Sequence, residues 1–281
     1  MIKFTKMQGL GNDYIYINNI TNNIKEASEL AKVMSDRHFG VGGDGIILIE
    51  KSDIADFKMK IFNKDGSEAE MCGNGIRCVG KFVYDKGLTN KTNISIETLA
   101  GIKKLRLNIL YKKVKTVEVD MGEPILEASK IPMLSDACPV KNLKINVDGK
   151  GFIFTCVSMG NPHAITIIND VKNFNVEKYG KIIENNKLFP QKTNVEFIEI
   201  INRHNIKMRV WERGTGETLA CGTGACASVV ACNLNGLVDN KVDVELLGGK
   251  LEVTWNKEKD HVYMIGPAVT VFEGDWENNN Y

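Results

Sequence analysis

The chain contains an internal duplication, and this feature constrains its fold more than any other. Shifting the sequence by 149 residues against itself produces matches without a gap. The motif Cys72–Gly75 aligns with Cys221–Gly224, and Asn12 and Asn161 each lie 60 residues before the cysteine of their own copy. Like units usually pack about a pseudo-two-fold axis, which brings equivalent positions face to face. We therefore expect two similar domains whose cysteines face each other across one pocket.

The composition is that of an ordinary soluble protein. The 281 residues are 43% hydrophobic and 25% charged, with a formal net charge of +1. No global charge therefore favours nucleic acid or a membrane surface as a partner. The first residues have no signal-peptide core, and no run approaches the roughly 18 apolar residues of a membrane-spanning helix. We expect a cytoplasmic protein whose seven cysteines are reduced thiols.

Strand-like and helical segments follow the same order in both copies. Each copy opens with alternating apolar residues, at Ile2 to Tyr16 and at Phe152 to Ile168. Each Cys-Gly-x-Gly turn then precedes a helical segment that a glycine closes. The predicted helices lie at 27–36, 76–85, 175–185 and 225–235. Because strands outnumber helices and follow one another without crossover helices, the predicted class is α+β with mainly antiparallel sheets, not a doubly wound parallel sheet.

Two similar phrases, Val119–Pro124 and Val262–Pro267, end the copies and predict the domain boundaries. We expect an N-terminal domain of residues 1–121 plus 267–281 and a C-terminal domain of residues 122–266. The tail returns to the first domain in this interpretation, because a strand must complete the first sheet after the chain has left it. The active site would lie in the cleft between the domains.

The two cysteines suit proton transfer on opposite faces of one carbon. A cysteine acts as a base only as its thiolate, and a helix N-terminus lowers the thiol pKa because its N–H groups and dipole favour negative charge. The same helix ends would bind a carboxylate. One thiolate would remove an α-proton while the opposite thiol returns a proton, which inverts the stereocentre. The sequence has no clear pyridoxal phosphate signature, so we expect no cofactor.

Two other interpretations of these motifs compete with this one. In the first, the cysteines are buried residues at helix starts and the glycines only make turns; the matched repetition of the motif disfavours it. In the second, a metal is bound by four thiols, those of Cys72, Cys78, Cys221 and Cys226. Cysteines five or six residues apart on a helix point in diverging directions, so we expect no metal.

The copies differ at three positions close to the shared motifs. From the first copy to the second, the differences are Tyr14 to His163, Asn63 to Glu212 and Lys64 to Arg213. A symmetric ligand would not need these changes, whereas an asymmetric substrate would. His163 and Glu212 are titratable groups suited to setting the protonation of two thiols. The fork of Arg213 suits bidentate binding of a carboxylate.

Four motifs give the chain a resemblance to the diaminopimelate epimerase family. They are Gly9–Asp13, Asn63–Arg77, Gly160–His163 and Trp211–Gly224, and the similarity covers essentially the whole chain in order. The resemblance implies a cofactor-independent epimerase that converts LL-2,6-diaminopimelate to the meso form, in lysine and peptidoglycan precursor synthesis. It also implies two pseudo-symmetric domains, each a sheet wrapped around a central helix, and a homodimer.

The resemblance further implies roles for individual residues. Cys72 and Cys221 would be the acid/base pair, with His163 assisting Cys72 and Glu212 assisting Cys221. The polar groups of the substrate would be held by the side chains of Asn12, Asn63, Asn161, Asn194 and Arg213. The carboxylate of the reacting centre would be held by the backbone N–H groups of Gly73, Asn74, Gly222 and Thr223. One position departs from the family pattern, since some members carry a substrate-contacting Gln where this chain has Gly45.

Related and unrelated activities remain as alternatives. A proline racemase or hydroxyproline epimerase would share the cysteines and the fold, but its first motif has His in place of Asn74 and its second lacks the Glu212–Arg213 pair. A phenazine-type isomerase would lack the cysteine pair. From a different class, a binding protein or redox sensor would use the cysteines as a switchable disulfide. Catalytic turnover in the presence of reductant would exclude this last interpretation.

Overall fold

A computed structural model of the chain describes residues 1–277. The last four residues of the predicted N-terminal domain, 278–281, lie outside the described residues. The chain divides into two compact units. Unit 1 consists of Met1–Val119 and Ile265–Tyr281, and unit 2 consists of Asp120–Met264.

Strands dominate the first part of the chain. Its elements are β1 (Ile2–Gly9), β2 (Asn12–Asn18), α1 (Asn19–Asn22), α2 (Ala27–Ser35), β3 (Gly45–Glu50), β4 (Phe57–Asn63), β5 (Glu68–Ala69), α3 (Gly73–Asp85), β6 (Asn93–Thr98), β7 (Gly101–Leu110) and β8 (Lys113–Gly122). In β4 and β6, buried and partly exposed residues alternate, as expected of strands with one face against a core.

The second part of the chain repeats this order. After a short 3₁₀ turn at Ala128–Lys130, its elements are β9 (Leu143–Val147), β10 (Lys150–Ser158), β11 (Pro162–Ile167), α4 (Val176–Glu184), β12 (Asn194–Asn202), β13 (Asn205–Glu212), β14 (Gly216–Thr218), α5 (Gly222–Leu234), β15 (Lys241–Leu246), β16 (Gly249–Asn256), β17 (His261–Pro267) and β18 (Val269–Trp276). The α+β class with few helices is therefore confirmed.

The strand pairings show the duplication residue by residue. In unit 1, β2 pairs in parallel with β3, and Tyr14 lies opposite Gly45. In unit 2, β11 pairs in parallel with β12, and His163 lies opposite Asn194. A second parallel pair follows in each unit, β4 with β6 and β13 with β15, while β1–β2, β3–β4, β10–β11 and β12–β13 are antiparallel. Positions 149 apart therefore occupy equivalent places in the two sheets.

In each unit, one more strand pairs with the outer edge of the hairpin that the first two strands form, β1–β2 or β10–β11. The two units take this extra strand from different parts of the chain. In unit 2, β10 pairs with β9, the strand immediately before it. In unit 1, β1 has no such predecessor and pairs with β18 from the end of the described chain, with Phe4 opposite Gly274. The C-terminal strand thus completes the first sheet.

One long helix in each unit is buried almost throughout. Helix α3 packs against β1, β2 and β7, and α5 packs against β10, β11, β12 and β16. Both helices expose little surface, since ten of the thirteen residues of each are buried. The sheet of each unit therefore surrounds a central helix, and the N-terminus of that helix carries the Cys-Gly motif.

Candidate active site

Both motif cysteines are the N-cap residues of the central helices. Cys72 and Cys221 have extended backbone conformations, and the helices begin at the next residue. The Cys72 sulfur accepts from the Gly75 N–H at 3.3 Å, and the Cys221 sulfur accepts from the Gly224 N–H at 3.4 Å. A side chain that accepts from the third helical N–H is a helix cap. The sequence interpretation, which started both helices three residues later, is wrong on this point because the capping sulfur lets Gly-x-Gly form the first turn.

In unit 1, Cys72 belongs to a chain of side-chain hydrogen bonds. Its Sγ donates to Asn12 Oδ1 at 3.1 Å, and Asn12 Nδ2 donates to Asp44 Oδ2 at 2.8 Å. Cys72 is partly exposed. Asp44 therefore orients the predicted substrate-binding amide of Asn12, and Asn12 in turn orients the thiol.

A fully buried arginine stabilises the helix start that carries Cys72. Arg77 donates to the Gly73 carbonyl and to Asn74 Oδ1, both at 3.0 Å, and to the Pro267 carbonyl at 3.2 Å. Its side chain has no exposed surface. The guanidinium thus fixes Gly73 and Asn74, two predicted binding residues, and places a positive charge near the start of α3.

In unit 2, Cys221 is buried and has acidic neighbours. Burial, followed by the carboxylates of Glu212 and Glu196, raises the Cys221 pKa well above its ordinary value. The Thr223 hydroxyl lies 3.4 Å from Cys221 Sγ. We expected a helix N-terminus to lower the pKa of both thiols; at Cys221 this expectation is wrong, because burial and two negative charges outweigh the helix end. Burial and the two carboxylates therefore favour the protonated form of Cys221.

Glu212 ends β13 beside Cys221. The Thr218 hydroxyl donates to Glu212 Oε1, and burial raises the pKa of this carboxyl above its ordinary value. The nearby charge of His163 opposes that rise. A carboxyl group with a raised pKa next to a protonated thiol can share in proton transfer.

The neighbouring Arg213 is held through its backbone. Its N–H donates to Asn194 Oδ1 at 2.8 Å, while Asn194 Nδ2 donates to the Pro162 carbonyl at 2.9 Å. The Arg213 guanidinium itself is exposed and donates to the Gln191 carbonyl at 3.1 Å. In this structure the side chain of Asn194 fixes the position of Arg213, and the guanidinium faces solvent.

His163 and Asn161, both predicted from the sequence, contact each other and a residue that the sequence analysis missed. His163 Nε2 lies 3.1 Å from Asn161 Oδ1, and His163 Nδ1 lies 2.7 Å from Glu196 Oε1. The side chains of His163 and Glu196 are completely buried. The duplication contained a signal for Glu196, because the equivalent position of the first copy is the apolar Ile47.

The structure explains why Gly45 departs from the family pattern. A Cβ atom added at Gly45 would overlap the Phe62 carbonyl oxygen and lie 2.9 Å from the Tyr14 ring. The neighbouring Asn63 reaches away from this point, since its Nδ2 donates to Ser67 Oγ at 3.1 Å. The ring of Tyr14, which replaces the histidine of the second copy, occupies the space that a side chain at position 45 would need.

The predicted site residues form two groups, one in each unit. Unit 1 contains Asn12, Asn63, Cys72, Gly73 and Asn74, and unit 2 contains Asn161, His163, Asn194, Glu212, Arg213, Cys221, Gly222 and Thr223. Across residues 1–277, no three His, Cys, Asp or Glu side chains form a group that could hold a metal ion. None of the helices in this part of the chain has the length and apolar character needed to cross a membrane.

Comparison with known proteins supports the family resemblance. The family model described as diaminopimelate epimerase matches residues 4–127 and 155–271. A diaminopimelate epimerase from Methanococcus maripaludis is 60% identical over 274 residues, which are 98% of this chain and 99% of the relative. One from Acetivibrio thermocellus is 57% identical over 278 residues, 99% of each chain.

Solved structures with much lower identity share the fold. A probable proline racemase from Agrobacterium radiobacter superposes with a TM-score of 0.72 at 13% identity, covering 100% of this chain and 94% of its own. A phenazine biosynthesis protein from Bacillus anthracis gives 0.71 at 17% identity, covering 98% and 99%. These two show the fold alone, whereas the family model and the close relatives span nearly the whole chain. The chain therefore belongs to the diaminopimelate epimerase family of isomerases.

Proposed function

We propose that this chain interconverts LL- and meso-2,6-diaminopimelate without a cofactor, using Cys72 and Cys221 as two acid/base groups. One observation carries the proposal. In a chain of this family, two thiols cap the two central helices in the same way, although the surrounding residues differ. Relatives that are 60% and 57% identical over nearly the full length carry the name diaminopimelate epimerase. The pathway, lysine and peptidoglycan precursor synthesis, is part of the proposal.

The proposed proton transfers use the two thiols on opposite faces of the α-carbon. In one direction the Cys72 thiolate takes the α-proton, so the C–H bond breaks, an S–H bond forms and the electron pair stays on the carbon. The Cys221 thiol then donates its proton to the other face and becomes a thiolate. The raised pKa of Cys221 supports its role as the proton donor in this direction. The reverse reaction exchanges the two roles.

The helix N-termini supply the proposed anchor for the carboxylate at the reacting carbon. The first N–H groups of a helix have no carbonyl partner within that helix, and the helix dipole favours an anion there. Gly73 and Asn74 open α3, and Gly222 and Thr223 open α5. We assign these four N–H groups to the carboxylate, where they also stabilise the charge that develops when the proton leaves.

The distal end of the substrate is assigned to polar side chains of both halves. The exposed guanidinium of Arg213 is proposed to bind the distal carboxylate with two parallel hydrogen bonds. Side-chain amides come from Asn12, Asn63, Asn161 and Asn194. Asn74, Glu212 and Arg213 support diaminopimelate over proline as the substrate. His163 is proposed to assist Cys72 and Glu212 to assist Cys221. The domain boundaries, the cleft position of the site, the homodimer and the cytoplasmic location remain predictions.

Proton NMR of the reduced protein with LL-diaminopimelate in D₂O tests the reaction directly. No pyridoxal phosphate is added. We expect deuterium at one α-carbon together with meso product. Exchange with proline or hydroxyproline instead would assign the chain to the racemase alternative. Lack of exchange with all three would contradict the proposal and favour a binding or redox role. Light scattering after size exclusion tests the homodimer independently.

A further inference from the structure

We propose that Glu196 is a positioning residue of this enzyme, whose carboxylate accepts a hydrogen bond from His163 Nδ1–H and so orients the ring with Nε2 toward Asn161. This inference rests on the proposed function, because it gives the ring of His163 a defined orientation in the epimerisation. Glu196 is assigned no contact with the substrate; it acts through His163.

The geometry of the pair supports this assignment. Glu196 lies on β12 and His163 on the adjacent parallel strand β11, so both side chains are held by the same sheet. Glu196 Oε1 is 2.7 Å from His163 Nδ1, and neither side chain has exposed surface. An ionised carboxylate only accepts hydrogen bonds, so Nδ1 must be the donor. Nε2 lies 3.1 Å from Asn161 Oδ1, an amide oxygen that only accepts, so Nε2 is the donor in this second contact and points at a predicted binding residue.

The fold itself does not require a carboxylate at this position. The equivalent residue of unit 1, Ile47, fills the same place beneath its central helix. A Cβ atom at Gly75 would lie 2.9 Å from Ile47 Cδ1, and one at Gly224 would lie 2.6 Å from Glu196 Oε1. Among residues 1–277, Glu196 Oε2 has no hydrogen-bond partner. A buried carboxylate is costly when it is incompletely paired, so packing alone does not account for Glu196.

Four titratable groups surround the Glu196 carboxylate. They are His163 on β11, Cys156 on β10, Glu212 on β13 and Cys221 at the start of α5. The carboxylate contributes to the raised pKa of Cys221 and of Cys156. Neutralising Glu196 should therefore make Cys221 and Cys156 easier to ionise.

Two variants separate the hydrogen bond from the charge. Glu196→Ile copies the residue of unit 1 and removes both, whereas Glu196→Gln keeps an acceptor and removes only the charge. The ring ¹⁵N shifts of His163 in histidine-labelled protein report the tautomer without turnover. The chain has four histidines, and a His163→Asn variant assigns the signal.

We expect a protonated Nδ1 in the wild type and a shift toward the Nε2–H tautomer in Glu196→Ile. In Glu196→Ile, we expect kcat for epimerisation to fall at least about 10-fold while KM stays within about twofold, whereas Glu196→Gln, which keeps the acceptor, should lose less. An unprotonated Nδ1 in the wild type, or an unchanged tautomer in Glu196→Ile, would overturn the proposal. If Glu196→Ile does not fold, an unprotonated Nδ1 in the wild type still overturns it. Because the NMR measurement needs no substrate, it stands even if the proposed reaction is wrong.

Discussion

The neighbours of Cys72 in unit 1 and of Cys221 in unit 2 differ although the two backbones agree. Cys72 is partly exposed and donates to the neutral amide of Asn12. Cys221 is buried, and the carboxylates of Glu212 and Glu196 keep its pKa high. The corresponding amide, Asn161, contacts His163 instead of a thiol. The same helix cap therefore carries two thiols with opposite surroundings.

Three substitutions between the copies account for much of this difference. Tyr14, Ile47 and Asn63 of the first copy correspond to His163, Glu196 and Glu212 of the second. All three changes replace a side chain that is uncharged near neutral pH with an ionisable one. A duplicated fold can thus place the same helix cap in two different electrostatic surroundings.

The largest expected effect comes from removing either thiol. Cys72→Ser and Cys221→Ser should each lower kcat by about 10³-fold or more, because each thiol performs one of two essential proton transfers. Initial rates from the NMR assay measure this. Cys138→Ser is the matched control, since Cys138 is the exposed cysteine of the chain, and it should keep wild-type rates. Full activity in either motif variant would mean that one half alone does the chemistry.

Glu212→Gln should separate activity from stability. We expect kcat to fall by roughly 10²-fold, because the variant loses the proton-sharing partner of Cys221. The pKa of Glu212 is raised, so its favourable contribution to folding is present below the unfolded pKa and lost as pH rises through the folded pKa. At pH 8 the variant should therefore unfold in urea at a concentration no lower than the wild type does. Glu245→Gln, on an exposed position of the same unit, is the control. A clearly destabilised Glu212→Gln would assign the residue a structural role.

Arg213→Ala should weaken substrate binding with a smaller effect on kcat. Loss of a charged hydrogen-bonding pair predicts a KM about 10- to 100-fold higher. Arg213→Lys keeps the positive charge but cannot form the two parallel hydrogen bonds of a guanidinium. Its KM should therefore lie between those of the wild type and of Arg213→Ala. The equivalent residue of the first copy, Lys64, is the control, and Lys64→Ala should change KM less than about twofold. If Arg213→Ala and Lys64→Ala raise KM equally, the two positions do not differ in substrate binding and the prediction is wrong.

The smallest effect concerns stability at high pH. Burial raises the pKa of Cys156 and of Cys232, each to about 12. Above the unfolded thiol pKa of about 8.5, the unfolded chain loses these protons while the folded chain keeps them, so stability falls by up to about 1.4 kcal/mol per pH unit and thiol. The equivalent residues of unit 1 are Met7 and Val83, which do not titrate. Urea unfolding between pH 9 and 11 should show a shallower decline in Cys232→Ala than in the wild type. Parallel declines would refute the assignment.

The sequence predicted the strands and helices better than it predicted the charged neighbours and the pKa values of the site residues. Alternation and turn residues located the strands, and the duplication located both cysteines. The start of α3 was missed because two glycines in four residues argue against a helix, and only the sulfur cap of Cys72 makes that turn favourable. Glu196 was missed because a glutamate within an alternating strand usually faces solvent, and its partner His163 is 33 residues away. The direction of the Cys221 pKa depends on burial, which a helix-end rule does not include.

The pairing of β1 with β18 has a consequence for how the chain is made. Residues 120–264 of unit 2 are contiguous, so a ribosome releases all of them before Val269–Trp276 emerges. Until then β1 is an edge strand with unpaired backbone groups, which invites pairing with other chains. Unit 2 can therefore emerge whole and begin folding while the sheet of unit 1 still lacks the strand that pairs with β1.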